Sequence, residues 1–406
     1  MTIIDQCPVC NSKEHSAILT AGKYPYFTTP VKKQDKAKIL KKYGSQKLHG
    51  ELQPVVCGGC LHIYLRKCAP VKILSELYRN YYSYPSALEG SFSPERDEAF
   101  IRIFKNKIRK MMTKKQNRIL EIGCYDGYVL CHLKKMGFSV TGCDPSKGAS
   151  IGKKFGLDIK KRFFKVDDFL KEGLKYEVII FRHFLEHLPK PVDFLKALKE
   201  VLTPEGMLIF EVPNVEPYLK NGGTGIFSFQ HLQYFSKASI YRLIENSDLQ
   251  LMSCIETAEN LIVAASRGRS QKNFANNNIP ALCRSFRSNF QMKKTRLGKM
   301  VKKISDRGII LWGAGGFSAN VLELYGVPSN RVKYIVDSDK NKWGMEYLKH
   351  RIQIASPETL KRDDHGCLMV CSMYANEIIN RLRDLHYDKP VISLSPDIKL
   401  LKGRSK

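Results

Sequence analysis

Apolar positions along this chain follow two alternating rhythms. Short dense runs stand at Arg118-Ile119-Leu120-Glu121, Ser139-Val140-Thr141-Gly142-Cys143-Asp144, Glu177-Val178-Ile179-Ile180-Phe181 and Met207-Leu208-Ile209-Phe210-Glu211, and stretches with helical spacing such as Tyr128 to Met136 lie between them. Strand and helix in turn predict a parallel α/β sheet, since each parallel strand is reached by a crossover that a helix fills. A charged amphipathic stretch from about Phe92 to Met112, apolar at Ile101, Ile103, Phe104 and Ile108, predicts a helix leading into that sheet.

Between about Ser266 and Ile304 strand character gives way to Arg, Lys, Asn and Ser, which predicts a loop and a basic connecting helix. After Arg307 the α/β rhythm restarts, with Gly308-Ile309-Ile310-Leu311-Trp312, Val332-Lys333-Tyr334-Ile335-Val336-Asp337 and Cys367-Leu368-Met369-Val370 as strands of a second nucleotide-type fold. Before Pro85 the chain is irregular, with short β-like runs such as Pro54-Val55-Val56 and tyrosines from Tyr78 to Tyr84, and is too poor in apolar residues to fold unaided. The predicted divisions are 1–85, 86–265, 266–305 and 306–406, with no internal repeat.

Composition narrows the setting. At 406 residues, 43% of them hydrophobic, the chain can furnish two or three domains with cores. Met1 to Gln6 lacks the basic start and apolar stretch of a secretion signal, and no run approaches the ~20 apolar residues of a membrane span. The expectation is a soluble cytoplasmic protein without a membrane partner, whose 12 cysteines are thiols. Lys and Arg (67) exceed Asp and Glu (39), for a net charge of +28. That excess favours an anionic partner, yet no RNA-binding module is present and no aromatic ladder interleaves the basic residues, so nucleic acid is not expected. Nothing in the pattern bears on the oligomeric state.

Cys7-Pro8-Val9-Cys10 and Cys57-Gly58-Gly59-Cys60 are two C-x-x-C pairs with 46 residues between them. Such a turn presents two thiolates to one metal, and four soft ligands in a tetrahedron suit Zn2+, with redox dithiols or buried thiols as the alternative. Four cysteines leave no position for a reacting water, so a zinc held by Cys7, Cys10, Cys57 and Cys60 is expected to be structural. His62 and Cys68 are expected to be bystanders.

Glu121-Ile122-Gly123-Cys124-Tyr125-Asp126-Gly127 follows a predicted strand and opens a helix. Glycine there lets the backbone approach a ligand closely at the strand's carboxyl end, where open α/β sheets bind nucleotides. The spacing E-x-G-x-x-x-G is that of S-adenosylmethionine binders rather than of dinucleotide folds. Asp144 closes the next strand 23 residues after Glu121, placed to accept the hydrogens of ribose hydroxyls. Phe181-Arg182-His183-Phe184-Leu185-Glu186-His187-Leu188-Pro189 and Leu202-Thr203-Pro204-Glu205-Gly206 then stand where class I methyltransferases have their later motifs. The candidate donor-site residues are Glu121, Gly123, Tyr125, Gly127, Asp144 and His183. Near the carboxyl end, Gly313-Ala314-Gly315-Gly316-Phe317-Ser318 with Asp337 suggests a dinucleotide or phosphate site, although Ser318 replaces the third glycine of that fingerprint.

In the order of its motifs the chain resembles the three-part sugar C-methyltransferases of deoxysugar pathways, and the resemblance covers nearly its whole length. The paired cysteines, Tyr82-Ser83-Tyr84-Pro85-Ser86, the donor motif, Gly313-Ala314-Gly315 and Ser356-Pro357-Glu358 carry it. It implies an α/β fold in which a class I methyltransferase Rossmann-like domain is flanked by a small zinc-binding N-terminal module and a second, C-terminal Rossmann-like domain. It implies C-methylation beside the ketone of a nucleotide-linked sugar, through an enolate made by a base. The family's base is the second His of a His-Glu-His-x-x-Tyr-Phe-Ser stretch, which here reads Phe229-Gln230-His231-Leu232-Gln233-Tyr234-Phe235-Ser236. His231 is kept; Phe229, Gln230 and Ser228 depart from the family, and the carboxylate that would orient the base is missing. His187 and Tyr84, or Tyr82, match further active-site positions. These departures leave open O- or N-methylation of another small acceptor and a non-catalytic binding protein, and the +28 charge with a zinc module leaves open an RNA or protein methyltransferase.

Overall fold

The computed structural model describes residues 2–81, 86–90, 95–113, 115–268, 278–304, 308–362, 366–372, 375–394 and 398–401. At its centre is a seven-stranded sheet. Numbering its strands alone in chain order, β1 is Arg118–Ile122, β2 Ser139–Cys143, β3 Ile159–Lys160, β4 Tyr176–Arg182, β5 Leu202–Pro213, β6 Leu249–Glu256 and β7 Asn260–Arg267. Their spatial order is β3-β2-β1-β4-β5-β7-β6. The first five are mutually parallel, as the alternation predicts. β6 and β7 form an antiparallel hairpin, and β7, inserted between β5 and β6, runs against both, so that β6 again has the direction of the first five. This departs from the all-parallel expectation: strands joined by the short Thr257–Glu259 link have no room for a crossover helix.

From β1 the chain runs first to β2 and β3 on one side, then returns to β4 and β5 on the other. That reversal opens a crevice outside the carboxyl ends of β1 and β4, where ligands of such sheets bind. The strands are buried on both faces, against Leu133, Phe100 and Phe104 on one side and Leu195, Leu198 and Ile240 on the other.

The N-terminal segment is more regular than its sequence predicts, with helices at Lys33–Tyr43 and Val71–Tyr81. Its main sheet is antiparallel, in the order Gln233–Tyr234, Ile63–Leu65, Pro54–Cys57, His15–Ala17. One edge of that sheet is thus supplied from beyond β5. Its core is shared: Val9, Val55 and Tyr64 pack with the residues around Phe235, while Tyr24, Tyr26 and Leu52 pack with Phe227, Phe229 and the C-terminal domain. This accounts for its low apolar content.

The basic linker forms the 25-residue helix Ile279–Lys303, whose Phe286, Phe290, Leu297 and Val301 are buried against the C-terminal domain. That domain carries a six-stranded sheet in the order Ile354–Ala355, Val332–Val336, Ile309–Trp312, Cys367–Val370, Val391–Ser393, Lys399–Leu401, antiparallel only at the last pair. No helix among the described residues is long and apolar enough to cross a membrane.

Candidate active site and cysteine cluster

β1 delivers Glu121 to the crevice, 3% exposed. Burial pushes its carboxyl up to about 8, against the opposing pull of Arg182. Its Oε2 is shielded from solvent without a hydrogen-bond partner, a cost that a donor group on a ligand would remove. The following turn reverses tightly. Gly123 (φ 73°) donates its N–H to Cys143 O at 2.8 Å, and Gly127 (φ 79°) stands where a Cβ would lie 2.6 Å from Leu157 Cδ1. Tyr125 is also left-handed (φ 50°), and its N–H donates to Asp144 Oδ2 at 3.0 Å. Asp144 Oδ1 accepts from Ser146 N at 2.8 Å. Each Asp144 oxygen therefore accepts one backbone N–H of the fold, and a carboxylate oxygen can accept a second hydrogen bond. Asp126 Oδ1 accepts from Tyr128 N at 3.1 Å, and its Oδ2 accepts from Ser86 Oγ (2.7 Å) and Leu88 N (3.1 Å). This crevice fits adenosylmethionine: the left-handed glycine turn permits close approach, and Glu121, with its unpartnered Oε2, and Asp144 stand at the carboxyl ends of adjacent strands.

At the end of β4, Arg182 is buried over the Phe100 ring (4.4 Å) and bonded to Asp97 Oδ1 and Glu211 Oε2, each at 2.8 Å. It is the cation that lets Glu121, Glu211 and Asp97 share one region. His183 (φ 47°) lies 3.5 Å from Glu186 and 3.6 Å from Glu211, and burial holds its pKa well below the usual histidine range.

His187 and His231 meet edge to face with ring centroids 5.2 Å apart. His187 Nδ1–H donates to Gln230 O at 2.6 Å, and His231 Nδ1–H donates to Ile226 O at 3.0 Å. A carbonyl only accepts, so both rings carry their proton on Nδ1 and present Nε2 as the lone pair. Burial and the adjacent His187 lower His231 to about 3. Tyr82 and Tyr84 lie outside the described residues.

The departures from the family pattern find specific places. Phe229 is fully buried in the core, edge-on to Tyr26 at 4.8 Å. Gln230 holds His187 through its backbone. The carboxylate absent at position 230 has a neighbour in Glu186, 1% exposed, which groups with both histidines. Sequence reading gave Glu186 no role, because its partner at His231 is 45 residues away.

The four predicted metal ligands come together. Cys7 Sγ lies 3.6 Å from Cys60 Sγ and Cys10 Sγ 3.5 Å from Cys57 Sγ, with all four sulfurs within 4.8 Å of one another. Zn–S bonds of about 2.3 Å in a tetrahedron separate sulfurs by about 3.8 Å, so the cluster fits zinc. All 12 cysteines are free thiols.

His62 is not a ligand of that cluster, yet it is no bystander. Fully buried two residues past Cys60, it bonds through Nε2 to Gln233 Oε1 at 2.8 Å, and Gln233 Nε2 donates to Leu188 O at 2.8 Å. Leu65 N donates to Leu232 O (2.9 Å), and Leu232 N donates to Glu186 O (2.8 Å). The cysteine knuckle therefore grips both segments that carry the paired histidines.

The C-terminal glycine turn is spoken for by the chain itself. Asp337 Oδ2 accepts from Ala314 N at 2.7 Å and from Lys342 Nζ at 3.2 Å, Tyr347 OH donates to Gly315 O at 2.9 Å, and a Cβ on Gly316 would lie 3.4 Å from Thr28 Oγ1. Asp337 thus accepts one backbone N–H on each oxygen, as Asp144 does, and differs from it in being paired with a lysine, Lys342.

Comparison with known proteins completes the picture. Residues 95–253 match the methyltransferase domain family, and residues 265–389 match the C-methyltransferase C-terminal domain family. Similarity to C-methyltransferase NovU of Streptomyces niveus, at 22% identity, spans 94% of this chain and 93% of that enzyme. The chain belongs to the S-adenosylmethionine-dependent C-methyltransferases. This methyltransferase is also 30% identical over 107 residues to the ubiquinone biosynthesis O-methyltransferase of Actinobacillus pleuropneumoniae serotype 7 (strain AP76), a match covering 24% of this chain and 46% of that one. The solved magnesium protoporphyrin IX methyltransferase of Synechocystis PCC 6803 overlays with a TM-score of 0.37 at 13% identity, over 49% of this methyltransferase and 100% of that chain.

Proposed function

We propose that this methyltransferase adds a methyl group to the carbon beside the ketone of a nucleotide-linked sugar, with His231 as base. The observation that carries the reading is the tautomer of the His187–His231 pair: each Nδ1–H is spent on a backbone carbonyl, so His231 Nε2 is a fixed lone pair near the donor crevice. Its lowered pKa keeps the ring unprotonated at neutral pH, the state a base requires. Adenosylmethionine, held by Glu121, Gly123, Tyr125, Gly127 and Asp144 with His183 beside them, supplies an electrophilic methyl. His231 takes the proton from the carbon next to the carbonyl, and the negative charge that develops there raises the affinity of the ring for that proton. The electron pair left on carbon makes it the nucleophile. Arg182 and the buried carboxylates hold the β4 end fixed while this occurs. The sugar assignment is supported by the order of motifs along the whole chain, and Tyr84 belongs to the acceptor side by the same resemblance.

In this reading residues 1–85 form a module built around structural zinc at Cys7, Cys10, Cys57 and Cys60, residues 86–265 the donor domain, 266–305 a linker and 306–406 a wall of the acceptor site. The test is incubation with labelled adenosylmethionine and a panel of nucleotide-linked sugars, including 4-keto forms, in deuterated water. A carbon-bound methyl on a sugar nucleotide, with proton exchange at that carbon lost in His231→Gln, is the expected result. A methyl on oxygen, or no methylated sugar although adenosylmethionine binds, refutes it.

A further inference from the structure

Apart from the cysteine cluster, a second set of ligand-type side chains converges. One donor atom from each of Glu186, His187 and His231 lies within 4.8 Å of the other two. Glu186 is 1% exposed, and its Oε2 is sealed from solvent with no hydrogen-bond partner. A buried carboxylate oxygen left so costs on the order of 1–3 kcal/mol or more unless something positive meets it. Both rings are already held as ligands are held. A coordinating imidazole spends its other N–H on a carbonyl or carboxylate, which fixes its tautomer and aim, and here Gln230 O and Ile226 O accept from the two Nδ1–H groups. The Leu232 N–H bond to Glu186 O ties together the segments that supply the three side chains.

We propose that Glu186, His187 and His231 form a site for a divalent transition-metal ion, and that an ion there occupies the lone pair His231 uses as base, so that ion binding and proton abstraction exclude one another. Two imidazoles and one carboxylate suit Zn2+, Co2+, Ni2+ or Fe2+, whereas Mg2+ and Ca2+ take oxygen ligands. Three protein ligands leave coordination positions open to water, unlike the four-thiolate cluster. The device is inhibitory: the enzyme runs with this site empty and stalls when it fills. That inhibitory half rests on His231 being the base proposed above; the binding half does not.

The experiment uses the full chain, loaded with one zinc at its cysteines and titrated with Co2+ alone while visible and near-ultraviolet spectra are recorded. Cobalt on thiolates shows sulfur-to-metal charge transfer; cobalt on imidazole and carboxylate does not. We expect a second equivalent of ion bound without charge-transfer bands, weakened at least about tenfold in Glu186→Gln and in His187→Ala, each first checked for adenosylmethionine binding. Should either fail that check, His231→Gln, at a half-buried position, takes its place. Methyl transfer should fall in proportion to the second ion and return on dialysis. Uptake of no second ion, or equally tight uptake by the variants, overturns the site. Binding that leaves transfer untouched overturns the exclusion. Absence of transfer to every sugar by the cobalt-free enzyme defeats the function proposed above, and the spectra still decide the site.

Discussion

Replacing Gly127 by alanine tests whether the turn after β1 is built for close approach to adenosylmethionine. Gly127 has φ 79°, a left-handed conformation that costs an alanine about 1–2 kcal/mol. The new Cβ would lie 2.6 Å from Leu157 Cδ1 and 3.1 Å from Ile159 Cδ1, both side chains buried, which adds about 1–3 kcal/mol of overpacking. Stiffening the unfolded chain returns about 0.4–1 kcal/mol. The net destabilisation is about 2–4 kcal/mol, a fall of about 5–15 °C in Tm for a domain of this size. Gly137 is the control, since its φ is 93° and a Cβ there meets nothing within 4 Å; Gly137→Ala pays the backbone cost alone, about 1 kcal/mol or less. If the Gly127→Ala turn relieves half its strain by shifting, the donor crevice loses about 1–2 kcal/mol of binding, a rise of about 5–30-fold in Kd. Calorimetric titration with adenosylmethionine reads this directly. A Kd within about threefold of the parent in Gly127→Ala would refute the assignment of this turn to the donor site.

Other variants probe the remaining links. Arg182→Met should cost about 3–5 kcal/mol, because it strands Glu211 and Asp97 without their cation; thermal unfolding checks it, and Glu211→Gln in the same chain should recover part of the loss. His62→Phe and Gln233→Met should each destabilise by about 1–3 kcal/mol by orphaning the other side chain, and the double variant by less than their sum, with a coupling of about 0.5–3 kcal/mol. Strict additivity would show the pair to be incidental. For pH, burial lowers His62 from 6.5 to about 4. A folded-state pKa below the unfolded one gives stability that is whole above about 6.5 and is lost as pH falls toward 4, about 3 kcal/mol in all. Tm measured from pH 7.5 to 4.5 should fall, and the fall should be shallower in His62→Gln.

What was legible in the sequence is what is local in the chain. A strand, a glycine turn and an acidic residue at the end of the next strand sit within 27 residues, from 118 to 144, and two C-x-x-C turns announce themselves by spacing. The hairpin is less legible: β6 mixes polar positions such as Gln250 and Ser253 with its apolar ones and is mostly half-buried or exposed, although β7 is apolar and buried along most of its length. Most obscure was the pairing of Gln233 and Tyr234 with Tyr64 and Ile63: a two-residue strand has no periodicity, and its partner lies far back in the chain. With that pairing hidden, neither the role of His62 nor the approach of Glu186 to His231 follows from reading along the sequence.

That borrowed edge strand has a consequence for synthesis. Leu65 leaves the ribosome 168 residues before Gln233 (233 minus 65), and at roughly 5–20 residues per second the interval is about 8–34 s. Throughout it, the Ile63–Leu65 strand offers an unpaired backbone edge, the kind of surface that recruits the wrong chain. Metal captured by the nascent cysteines would hold the rest of the sheet in register during that wait, so a cell short of zinc should lose this protein to aggregation during translation, before any finished copy has a chance to be inactive.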